Sequence, residues 1–352
     1  MRRLIAPVAV ALLALAGLAA DPPKDPDRRY WVCVTNERSG DVTLIDAATD
    51  KAVATVRVGR RPRGVHASPD GKFLYIAVSG SPIIGPPKLD DKGAPIFPKV
   101  EAGNQAEDGI AVIDLKTKKL VKKLPTGTDP EEFAVSPDGT RLYVSNEDAG
   151  TVSVLNVADG KVEAVIKVKD EPEGVAFAPG GVHVYVTCET KGEVLVIDPK
   201  TNKPVAEVAV GGRPRTVAFL PNGAKAFIPS ESAGTVAVVD TKTYKIERTV
   251  KLPEGARPMS VLVSADGKKL FVSTGRAGTV CVIAPATGKV LNTIPVGTRP
   301  WGLALTPDGK KLFVANGPSN DVSVIDVASA KEVARVKAGQ SPWGAVVIPA
   351  QD

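Results

Sequence analysis

Residues 298–316 read TRPWGLALTPDGKKLFVAN, and Asp321–Asp326 follows as DVSVID. A proline-centred turn leads into a short apolar run and a Pro-Asp-Gly turn. An aromatic-apolar run, a polar loop and an alternating strand come next. In the Pro-Asp-Gly turn, proline presets φ and glycine accepts a positive φ. The runs are short, rich in β-branched residues and of period two, which marks strands. None is long enough at the helical period to make a helix.

The same order recurs along nearly the whole chain. Turn prolines stand at 62, 130, 172, 214, 258, 300 and 342, with spacings of 68, 42, 42, 44, 42 and 42 residues. The first spacing holds an insertion, about 79–108. One unit gives strands at 132–136, 141–145, 151–156 and 162–168. A four-stranded sheet of this size cannot bury both faces alone, and stacking such units radially makes propeller blades. The chain enters at Tyr30 on a second strand, YWVCVTN, and finishes on a first strand at 342–348. The two partial units complement each other. The expectation is therefore all-β: a seven-bladed β-propeller over 30–349, with four-stranded antiparallel blades and one-plus-three closure by the C-terminal strand. Closure of that kind removes exposed sheet edges.

Before the propeller, Arg2 and Arg3 precede an apolar, alanine- and leucine-rich stretch that ends at Ala20. This reads as a signal peptide over 1–20, followed by a flexible leader over 21–29, and predicts a periplasmic or secreted protein. Nothing later is apolar enough to span a membrane. Loss of the two arginines lowers the formal charge from +6 to +4, with the basic residues dispersed, so no nucleic-acid partner is expected. A monomer is expected. Cys33, Cys188 and Cys281 form no CxxC or CxxCH string, which leaves three unpaired thiols and no covalent haem site. Third strands end in Asp46, Asp114, Asp198, Asp240 and Asp326, a pattern that turn capping accounts for.

YWVCVTNERSGDVTLID, LYVSNEDAGTVSVLNV and RPWGLALTPDGKKLFVANGPSNDVSVIDVAS resemble the exported seven-bladed propellers of the YVTN-repeat family, of surface-layer and periplasmic type. The motif stands here as Cys33-Val34-Thr35-Asn36, Tyr143-Val144-Ser145-Asn146, Tyr185-Val186-Thr187-Cys188 and Phe313-Val314-Ala315-Asn316. Relatives of that kind include propellers associated with quinone-linked oxidation, the heavy subunit of methylamine dehydrogenase and propeller lactonases. The resemblance thus implies several activities and carries over no active-site string.

In a propeller the turn prolines and the loops between second and third strands share one face. Residues just after the turn prolines then line its rim: Arg63, Glu131 with Glu132, Glu173, Arg215, Met259, Trp301 and Trp343. Behind them stand Glu37, Glu147, Glu189, Glu231 and Arg276. Such a concave mouth suits a ligand or partner, with Trp301 and Trp343 of adjacent blades as a stacking surface. His66 replaces the small or apolar residues of the other first strands and is a candidate acid-base group. Glu37, Glu132, Glu173 and Glu189 are weak candidates for calcium or another divalent ion. The insertion reads as a lid or partner-contact loop. Two histidines exclude a three-histidine zinc site, and no nucleophile elbow is present. The leading expectation is an exported, non-catalytic scaffold that binds a protein partner or small ligand at the mouth, without a resident cofactor. The alternatives are a metal-dependent lactonase-like hydrolase and an accessory subunit of a periplasmic quinone-linked oxidation system.

Overall fold

Burial explains why the middle strands of each repeat are continuously apolar and the last is not. In Lys311–Asn316 and Asp321–Asp326 nearly every side chain is buried, because a neighbouring blade covers each face of the sheet. The fourth strand Lys331–Lys337, KEVARVK, lies on the rim of the wheel and alternates between exposed and covered positions. The computed structural model describes residues 28–83, 88–89, 95–96 and 103–351. Seven four-stranded antiparallel sheets make up the molecule, together with a two-stranded ribbon of Lys88–Leu89 and Pro95–Ile96 within the insertion.

Six sheets run first to fourth strand in chain order, and the seventh is shared by the two ends. There Pro342–Pro349 pairs antiparallel with Tyr30–Asn36, setting Trp31 opposite Ile348, Cys33 opposite Val346 and Val34 opposite Ala345. Asp41–Asp46 and Lys51–Arg57 complete that blade. The expected propeller and its closure are therefore as observed. Seven apolar clusters fill the seven junctions between blades. Each buried valine, leucine or isoleucine there contributes about 1.5–3 kcal/mol relative to exposure.

Short polar devices tie the hairpins. In the first-to-second turns a hydroxyl and an aspartate pair, as in Ser136 Oγ donating to Asp138 at 2.5 Å while accepting from the Arg141 amide at 2.9 Å. At the third-to-fourth turns Asp46 accepts from the amides of Ala48 and Thr49, and Asp114, Asp198, Asp240 and Asp326 cap in the same way. The three cysteines are buried and unpaired. The expected signal peptide and most of the leader lie outside the described residues, and so does much of the insertion.

Candidate functional site

Backbone geometry at the proline turns builds the mouth. Arg61, Asp129, Glu171, Arg213, Arg299 and Ser341 each precede a turn proline and each has φ between 42° and 56°. Non-glycine residues rarely adopt this left-handed region, at a cost of about 1–3 kcal/mol apiece. Five of the six, all but Glu171, line a cavity of about 1100 Å³ at the mouth. Arg257, the seventh residue of this set, has no positive φ and does not line it. In five of the six turns this conformation goes with a residue on the cavity wall.

Two buried arginines organise the charge. Arg63 is bonded to Glu131 and to Asp129 (2.5 Å), with Glu147 at 3.5 Å. Arg215 is bonded to Glu173 and Glu231 and lies 2.6 Å from Glu189. Between them stand two carboxyl pairs on adjacent blades. Burial and the neighbouring Glu147 push Glu131 well above the usual carboxylate range, against the pull of Arg63. Glu147 is also partly desolvated, yet its hydrogen bond with Glu131 and the charges of Arg63, Arg61 and Arg215 hold it below that range. Glu173 is likewise raised, by burial and by its hydrogen bond with Glu189. Two carboxyls in contact cannot both ionise cheaply, which is why Glu131 is pushed up while Glu147 is held down. Glu147, with its side chain 30% exposed, is the more accessible member of its pair.

The opposite arc is aromatic. Trp301 and Trp343 stack with ring centroids 5.0 Å apart and planes at 27°. Arg215 and Arg299 stand over Trp301, 5.5 and 5.4 Å from its centroid, within range of a cation–π contact. Arg215 therefore touches both arcs.

Second-strand hydroxyls align the rim. Thr35 Oγ1 donates to the carbonyl of Arg63 at 2.7 Å, Ser145 to Glu173 at 2.7 Å, Thr187 to Arg215 at 2.7 Å and Ser273 to Trp301 at 2.6 Å. In every case the acceptor is the rim residue of the next blade, 28 positions on. Where the hydroxyl is missing, at Ala77, Pro229 and Ala315, the next rim residues are Glu131, Met259 and Trp343. Of these, Glu131 accepts from the Gly64 amide at 3.0 Å instead.

Of the residues expected to contact a ligand, Arg63, Arg215, Trp301 and Trp343 share the mouth cavity, and Glu173 sits behind Arg215. Met259 does not join them: it is 1% exposed and packs under Gly275. His66 and Glu132 line the central channel, bonded to each other at 2.9 Å. Of the weak metal candidates, Glu173 and Glu189 meet on Arg215 and the other two stand apart. Glu37 faces Arg61, Glu132 faces His66, Glu173 faces Arg215, and Glu189 faces Arg213 and Arg215. Among the described residues no three metal-binding side chains are placed to hold an ion, so no metal step is derived. Sequence reasoning missed Arg61, Asp129, Arg213 and Arg299. The signal available was the varied residue immediately before each turn proline, where the reading followed only the residue after it.

The wheel is a propeller with an acidic and an aromatic arc around the cavity at one mouth. A family model described as "Lactonase, 7-bladed beta-propeller" matches residues 31–175 and 199–340, and the chain belongs to that family. The periplasmic gluconolactonase PpgL of Pseudomonas aeruginosa superposes with a TM-score of 0.73 at 22% identity, covering 92% of this chain and 99% of that one. Kuenenia stuttgartiensis hydrazine synthase gives a TM-score of 0.68 at 23% identity, over 80% of this chain and 88% of that one. At these identities the likeness shows the fold. Antigen Lp49 of Leptospira interrogans serogroup Icterohaemorrhagiae is 34% identical over 145 residues, which is 34% of this chain and 31% of that protein. This chain thus spans about a third of the length of that relative.

Two expectations are corrected by the family match. The chain is a lactonase-family propeller and not a member of the YVTN-repeat surface-layer family. The strings behind that resemblance serve the blade itself. Val34, Val144 and Val186 fill blade junctions, Thr35, Ser145 and Thr187 bond the next blade, and Asn36 and Asn146 tie the second hairpin. Such strings report architecture, which is why they misled about family. The reading as a non-catalytic binding scaffold is overturned by the same match, since the family is one of lactonases.

Proposed function

We propose that the protein is an exported hydrolase that opens the lactone ring of a sugar acid at the mouth face. The observation that carries this reading is a carboxyl pair on a buried arginine, Glu131 and Glu147 on Arg63, facing a stacked tryptophan pair across one cavity in a lactonase-family chain. Export is supported by the character of residues 1–20 and by the likeness to a periplasmic gluconolactonase. Among the described residues no helix is long and apolar enough to cross a membrane.

In this reading the apolar face of the sugar ring lies on Trp301, as ring C–H groups favour an aromatic surface. Glu147, held ionised, accepts a proton from water as the water attacks the ring carbonyl. The guanidinium of Arg299, standing over Trp301 at the mouth, supplies positive charge for the developing oxyanion. As the C–O bond breaks, the proton on Glu147 passes to the leaving ring oxygen, giving the open hydroxy acid. Loss of that proton leaves Glu147 ionised again, and the hydrogen bond that Glu131 donates to it favours that state.

A pH-stat assay on a panel of aldonolactones, run with chelator and again with added divalent ions, tests the reading. Turnover above the spontaneous rate is expected, with Glu147→Gln lowering kcat by about 10²-fold or more while the fold is retained. No turnover above background under either condition would sink the proposal.

A further inference from the structure

We infer that the central channel is a second ligand site, separate from the mouth, for a neutral one- or two-ring molecule that carries a hydroxyl. The channel encloses about 540 Å³ and is walled by the first strands. That volume lies in the ordinary range for small-molecule sites, and its composition has their character of apolar walls with a few placed polar groups. Val65, Val175, Phe177, Val261 and Leu303 supply apolar wall. Gly302 and Gly344 bring blade backbones so close that a methyl group on Gly302 would sit 2.6 Å from the Trp343 carbonyl oxygen. The tryptophan pair forms part of the boundary between mouth and channel, since both rings line both cavities.

In this wall the imidazole–carboxylate pair of His66 and Glu132 is a departure from the repeat. The other six blades place Ala134, Ala176, Ala218, Leu262, Ala304 and Val346 where this one places His66. A repeat that needed only packing gains nothing from a ring nitrogen at that level. Glu132 Oε1 lies 2.9 Å from His66 Nε2 and also accepts from the Phe133 amide at 2.9 Å. The Phe133 ring meets the imidazole edge-on with centroids 4.9 Å apart. A carboxylate only accepts, so Nε2 is the donor in this contact, and in the tautomer with its single proton on Nε2 the ring presents Nδ1 as an acceptor. Nδ1 has no hydrogen-bond partner among the described residues, and the His66 side chain is 40% exposed. The ligand therefore brings the donor, a hydroxyl. The carboxylate of Glu132 beside it disfavours an anion, and the apolar walls take the ring.

Phenol is a suitable probe because the protein has two histidines, His66 and His183, so NMR of histidine-labelled protein reads the channel ring against one internal control. Titration of the intact protein with phenol is expected to move the His66 signals along a saturable curve and to leave His183 unmoved. Benzoate, the anionic counterpart, is expected to bind at least 10-fold more weakly. By calorimetry His66→Gln, whose fold is checked by circular dichroism, should weaken phenol binding by 10-fold or more, whereas Arg299→Ala at the mouth should not change it. A linear drift of the His66 signals without saturation overturns the inference. An unchanged dissociation constant in His66→Gln, or equal binding of benzoate, does the same. None of these readouts uses hydrolysis, so the channel site and the hydrolase reading fail independently.

Discussion

Glu131 shows how little a single residue's type says before its neighbours are known. By sequence it is one of several glutamates after a turn proline. In the fold it is buried against Arg63 and hydrogen-bonded to Glu147, and burial beside that second carboxyl pushes its pKa well above that of an exposed glutamate. The linkage has a definite sign. A carboxyl whose folded pKa is raised contributes stability that is complete below the unfolded value, near 4.3, and is lost as pH rises through the folded value. Glutamine mimics the protonated form and cannot ionise. Thermal melts across pH 4 to 8 should therefore show Glu131→Gln gaining on the wild type as pH rises. A constant difference in Tm across that range would mean that the pair holds no extra proton.

At the scale of the element, the second strand does two jobs. Its alternate side chains fill the blade junctions, and its hydroxyl reaches across to hold the rim of the next blade. Thr187 Oγ1 donates to the Arg215 carbonyl and accepts from the Gly174 amide, both at 2.7 Å, and is fully buried. Valine has the same shape and neither bond, so Thr187→Val strands a buried carbonyl and a buried amide. A loss of about 1–3 kcal/mol is expected in urea unfolding, while Thr187→Ser should retain most of the stability. Equal midpoints for wild type and Thr187→Val would remove the hydroxyl from the account of how Arg215 is placed. The recurrence of Thr or Ser at this position is visible in the repeats. That its partner lies 28 residues on, across a blade junction, is not.

At the scale of the molecule, closure is the feature on which both cavities depend. Pro342–Pro349 supplies the first strand of the blade begun at Tyr30, with Ile348 fully buried opposite Trp31. A chain ended after residue 340 would leave Tyr30–Asn36 as an unpaired edge, the usual template for association between chains. Light scattering and thermal melts should show it self-associating and melting well below the intact chain; a monomer with the wild-type Tm would contradict the closure. This much was legible, because period two, turn residues and a 42-residue spacing are local properties that each blade must repeat in order to bury its faces. The family was not legible from the same strings, since their valines, hydroxyls and asparagines serve any blade. The site was legible only in part. The rise of residues after each proline suggested Arg63, Arg215 and the tryptophans, but Met259 turned into the core and the residues before each proline turned into the mouth. Those outcomes depend on turn dihedrals and on what the next blade presents. The sequence by itself determined the number of blades, their order and the way the ends meet, because each follows from short-range pattern. Only the tertiary structure decided which charges face one another, which carboxyls meet and which histidine opens into the channel, because those are set by distances between residues far apart in the chain.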